Sequence, residues 1–88
     1  MKFEWTNYMK RKMKKRGFDP EKIENIIRYS SEQYSDVETR RNIVVGRHDN
    51  ELVLIAYEVS GELITPVTAH GTTRQKIRYQ VERGRFLL

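Results

Sequence analysis

Seven polar side chains, placed at predicted strand ends and on a predicted closing helix, are the ones equipped for chemistry: Arg47, His48, His70, Arg74, Arg78, Tyr79 and Glu82. Breaking a phosphodiester without a metal takes three things. One group removes a proton from a 2′-hydroxyl, another gives a proton to the departing oxygen, and fixed cations meet the charge that builds on phosphate. His70 stands directly after the last predicted strand and before the closing helix, where an imidazole can serve either proton role near neutral pH or cap a turn. Arg74 and Arg78 lie four apart on that helix; their guanidinium groups match phosphate oxygens, and their structural role would be a solvated face paired with Glu82. Arg47 shares the parity of Ile43 and Val45 but ends its strand, so its stem packs on the sheet while its charge reaches water. The Tyr79 phenol is a further proton donor, although an aromatic on a small domain's helix is more often core. His48 falls in a hairpin turn, expected to be exposed and distant from the helix.

The elements that must hold these groups follow from hydrophobic period. Phe3 and Trp5 alternate as in a short strand, and Tyr8, Met9 and Met13 mark the apolar stripe of a basic helix that ends at Gly17. Asp19 followed by Pro20 starts a second helix over about 20–30, with Ile23, Ile26 and Ile27 inward. After Ser30 the period shortens. Tyr34 and Val37 sit in a polar strand-like stretch, Ile43, Val44 and Val45 in a clearer strand, and Leu52 to Val59 in a nearly continuous apolar run that belongs mid-sheet. Turns at 48–51 and 60–62 make an antiparallel meander, and Pro66 puts the last strand, 63–69, at an edge or a bulge there. A closing helix over about 72–83 carries Ile77 and Val81 inward, and residues 83–88 form a tail with no assigned structure. The reading is α+β in one domain, 1–88: two N-terminal helices, a three- to four-stranded antiparallel meander and a C-terminal helix.

Composition narrows the function classes. At 88 residues the chain supports one core between two layers and no internal cofactor cavity. It has no cysteine, which removes disulfides, Cys-ligated metals and thiol nucleophiles and makes a reducing cytoplasm the expected location. His48 and His70 lie in different loops without metal-ligand spacing, and the scattered glycines make no phosphate loop, so no metal or cofactor is expected. No apolar run approaches a membrane span or a leader's apolar stretch. The net charge of +5 conceals an asymmetry: residues 1–22 sum to +5, residues 23–70 to −4 and residues 71–88 to +4. Two basic ends brought together would attract a polyanion, so RNA is the expected partner, held by Lys10, Arg11, Lys14, Lys15 and Arg83.

The segment order carries a resemblance. The leading FEW, the helix closing in KKRG, then FDPEKIENII, NIVVGR, ELVLIAYEV, ELITPVTAH and TTRQKIRYQ resemble BrnT-like toxins of the RelE/ParE superfamily from Phe3 to about Gln80. That resemblance implies metal-independent RNA cleavage by a type II toxin and a cognate antitoxin, acidic and DNA-binding, as protein partner. Carried over by position, it implies site roles for Arg47, Arg74, Arg78 and Tyr79. Such toxins commonly end the last strand in Ser-Ala-Arg; here Thr68, Ala69 and His70 stand in its place, exchanging a permanent cation for a titratable group. The second helix also resembles that of small RelE-like domains of uncharacterised activity.

The expected activity is cleavage by internal 2′-hydroxyl attack, with Arg47, His70, Arg74, Arg78 and Tyr79 as the catalytic set. The alternatives are a non-catalytic nucleic-acid or protein binding module of the same fold and a gyrase-directed toxin. All of these require the first and last helices to converge, so that cations far apart in sequence build one anion-attracting surface.

Overall fold

The first helix, α1 (Asn7–Arg16), is capped by Thr6, whose hydroxyl accepts the Met9 N–H at 3.1 Å, and is ended by Gly17 at φ 75°. A β-carbon is costly at that dihedral, so glycine suits the turn. The second, α2 (Pro20–Tyr29), starts on Asp19, whose carboxylate accepts the Glu21 N–H at 2.9 Å. Trp5 donates its indole N–H to Glu24 at 2.7 Å, tying the start of the chain to α2. The computed structural model describes residues 1–88.

Six strands make one mixed sheet. They are β1 (Lys2–Phe3), β2 (Glu32–Asp36), β3 (Asn42–His48), β4 (Glu51–Ser60), β5 (Leu63–Gly71) and β6 (Phe86–Leu87), in the spatial order β1-β5-β4-β3-β2-β6. Only β1 runs parallel to its neighbour. The long apolar strand β4 is internal, as its sequence requires. Pro66 sits at a bulge: Tyr57 pairs with Pro66 but Ala56 with Thr68, which leaves Val67 as the extra residue.

Both faces of the sheet are covered, and alternation along β4 sorts them. Val53, Ile55 and Tyr57 join Met9, Met13, Ile23, Ile26 and Ile27 under α1 and α2. Leu52, Leu54 and Ala56 join Ile43, Val45, Phe86 and Ile77 of the third helix, α3 (Arg74–Glu82), on the other side. No helix is long and apolar enough to cross a membrane.

The α+β class holds, with four corrections to the expected detail. The sheet has six strands rather than three or four. Its two extra strands have two residues each: β1 falls where Phe3 and Trp5 suggested a short strand and joins the sheet beside β5, and the C-terminal tail supplies β6. The basic helix α1 and the closing helix α3 lie on opposite sides of the sheet rather than converging, because odd and even residues of β3 and β4 are apolar alike and each face recruits its own helix. Ile77 is the sole buried side chain of α3, Val81 and Tyr79 being exposed, and Tyr8 is outside the α1 stripe. His48 is 6% exposed rather than a solvated turn residue: its Nε2 accepts the Asp19 N–H at 2.8 Å and its ring packs on Phe18.

Candidate functional site

Strand register sets the floor of the site in rows. On the face beneath α3, one row across β2, β3, β4 and β5 reads Glu32, Val45, Leu54, His70, and the next reads Tyr34, Ile43, Ala56, Thr68. Beyond them Arg41 pairs with Glu58 at 3.1 Å. Apolar residues thus hold the middle of the sheet and polar ones its flanks.

One flank of α3 forms the wall. Gln75, Lys76, Tyr79 and Gln80 line a cleft of about 440 Å³ whose floor includes Leu54, Ala56, Thr68 and His70. Arg85 and Phe86 of the tail close one end together with Asp36. Helix geometry divides the cations of α3 between two sides. Lys76 is two residues, or roughly 200°, around the axis from both Arg74 and Arg78, so the arginine row faces away when Lys76 faces the cleft. The cleft opens to solvent.

Ion pairs fix which charges are free. Arg74 Nη1 lies 2.7 Å from both Glu32 oxygens, so its charge is met outside the cleft. Glu32 also accepts the Tyr34 phenol at 2.9 Å, and burial with this bond pushes that phenol's pKa up. At the end wall, Asp36 is 3% exposed and takes Arg85 in two bonds, 3.1 and 2.9 Å long. Burial alone would push its carboxyl up. The Arg85 guanidinium and the N–H groups of Glu38 and Thr39 outweigh it and bring the pKa down to about 2. Lys76 has no ion-pair partner and is the free fixed cation of the lining.

His70 Nδ1 lies 3.0 Å from the Gly71 carbonyl, which only accepts. In the neutral ring that bond calls for the proton on Nδ1 and leaves Nε2 as the acceptor. On the opposite face, Arg16 of α1 donates to the carbonyl of Ala69, the residue just before His70.

Of the expected catalytic set, His70 and Tyr79 share the cleft, while Arg47, Arg74 and Arg78 are not among its lining residues. Arg47 pairs with Leu52 one row beyond the His70 row and donates to the Asn50 carbonyl at 3.1 Å. Lys10, Arg11, Lys14 and Lys15 are exposed on the other side of the sheet. Arg83 is held by Glu38 at 3.1 Å and by Gln80 at 3.0 Å. Lys76, Gln75, Arg41, Asp36 and Arg85 were outside the sequence reading. The spacing of α3 held a signal for Lys76, since Ile77 fixes the inward direction and Lys76 and Gln80 flank it on the side away from Arg74. The Asp36–Arg85 pair, 49 residues apart, had none. No family model, curated protein or solved structure matches the chain.

Proposed function

We propose that the protein is a metal-independent endoribonuclease, of the toxin type its segment order resembles, acting in the cytoplasm and neutralised by a cognate antitoxin. The observation that carries this reading is the gathering of an imidazole with a free Nε2, a phenol and an unpaired ammonium on one open cleft. Nε2 of His70 takes the proton of a 2′-hydroxyl, whose oxygen attacks the adjacent phosphorus. The bond to the 5′-oxygen breaks, and the Tyr79 phenol supplies that oxygen with a proton. Lys76 faces the extra negative charge on the phosphoryl oxygens. The products are a 2′,3′-cyclic phosphate and a 5′-hydroxyl, and solvent exchange restores both side chains.

The single basic surface expected from converging helices is not built, since α1 and α3 cover opposite faces of the sheet; the assignment stands instead on the cleft alone, replacing the arginine row of α3 by Lys76 and keeping His70 and Tyr79. The test is incubation of the pure protein with RNA in EDTA, with product ends identified by mass. Scission is expected, reduced at least ~100-fold in His70→Ala and at least ~10-fold in Lys76→Gln and Tyr79→Phe. Arg78→Gln should change it less than ~3-fold, being off the cleft. Equal cutting by His70→Ala and the wild type would remove the assignment. A wild type that binds RNA but never cuts would favour the non-catalytic module.

A further inference from the structure

The cleft leaves the densest charge on the molecule unused. Six of the ten residues of α1 are Lys or Arg and none is acidic. Lys10 and Lys14 make one row and Arg11 and Lys15 a second, each pair about 6 Å apart along the axis, comparable to the separation of successive phosphates in an extended strand. All four are exposed, and none takes part in an ion pair. Elsewhere Arg41, Arg74, Arg83 and Arg85 are matched by Glu58, Glu32, Glu38 and Asp36. Like charges four apart on a helix repel; the helix dipole offsets this for Lys14, Lys15 and Arg16 in the last turn, and a bound polyanion would offset it for the whole face.

We infer that the outer face of α1 is a sequence-independent anchor for the nucleic-acid backbone, separate from the cleft and on the opposite side of the sheet. Two features select this partner. A membrane-surface helix needs its apolar stripe free to enter lipid, whereas Met9 and Met13 are buried in the core. A protein interface needs an apolar centre, and the outward face of α1 offers only Tyr8, which carries the Lys12 ammonium 5.0 Å over its ring. The inference rests on the ribonuclease reading only in naming RNA. The C-terminal end of α1 touches β5 through Arg16 and Ala69, next to His70, so a strand held on α1 would reach the cleft around the part of β5 that β1, paired only at Leu63 and Ile64, leaves open. The thinnest extent of the molecule is 22 Å, which corresponds to about seven stacked nucleotides.

The test uses full-length protein and fluorescent 2′-O-methyl RNA, which cannot undergo internal attack, in lengths of ~4 and ~16 nucleotides. Lys10→Gln, Arg11→Gln, Lys14→Gln and Lys15→Gln are combined in one variant; all four sites are exposed, and circular dichroism verifies its fold. Affinity for the long strand should fall at least ~10-fold and the slope of log K against log salt by about 3, and the short strand, which fits on α1 alone, should lose binding as well. Wild-type affinity and slope in this variant would overturn the anchor. If unmodified RNA is bound with this α1 dependence yet never cut, the ribonuclease reading fails and the anchor stands.

Discussion

At position 48 an imidazole accepts a backbone N–H from Asp19 and packs against Phe18 at 5.0 Å between ring centroids. Removing it leaves both a cavity and an unmet donor, so His48→Ala should cost about 2–3 kcal/mol. Urea denaturation would show this as a lower midpoint at constant slope; an unchanged midpoint would contradict the role of the buried acceptor. His70→Ala, at an exposed site, should stay within ~0.5 kcal/mol. The two histidines therefore separate stability from activity. Sequence ranked His70 above His48 for chemistry because a strand end beside a helix start is recognisable from spacing. It missed the burial of His48, because the covering residues come from the α1–α2 connection, far upstream. Asp36 adds a pH effect. Its folded pKa near 2 lies below the ordinary 3.8, so its contribution, about 2 kcal/mol, is complete above the unfolded value and fades as pH falls from about 3.8 to about 2. Asp36→Asn should flatten the acid limb of stability over that range.

The helices are placed by close approach as much as by apolar stripes. Gly46 of β3 lies under α2, where an added β-carbon would meet Ile26 Cγ2 at 2.7 Å and its Cγ1 at 3.3 Å. Ile26 is β-branched and stiff, so the neighbour cannot swing aside. Gly46→Ala should cost about 1–3 kcal/mol through displacement of α2, and a thermal melt reads it directly; an unshifted midpoint would mean that α2 is free to move. The GR pair of β3 thus has a packing reason for its glycine that is independent of Arg47. Helix starts, turns and the central strand were legible because caps, Gly–Pro punctuation and a period-free apolar run act locally. The division of α3 into a cleft flank and an arginine flank was not, because its orientation depends on Ile77 meeting a sheet face assembled from three other strands.

Across the whole molecule, burial predicts a gradient of local stability that bears on the cleft. Val44, Val53 and Ile55 are fully buried at the sheet centre between the two helical layers, so the β4 amides should exchange with deuterium only through global unfolding. The sheet ends differ. β6 has two residues paired with β2, and its approach is held by the Val37 N–H to Arg85 carbonyl bond at 3.0 Å and by the Arg85–Asp36 pair. Because Arg85 and Phe86 also line the cleft, fraying of this tail would change the cleft's shape. Arg85→Ala removes the clamp and leaves Asp36 buried with only the donors of Glu38 and Thr39. It should raise exchange at Val37 and Leu87 at least ~10-fold, equivalent to about 1.4 kcal/mol of lost local stability, while β4 protection falls only by the global loss. Equal acceleration at β4 and β6 would mean that the tail opens only when the whole domain does. Confinement to β6 would make the C-terminal strand the movable wall of the cleft.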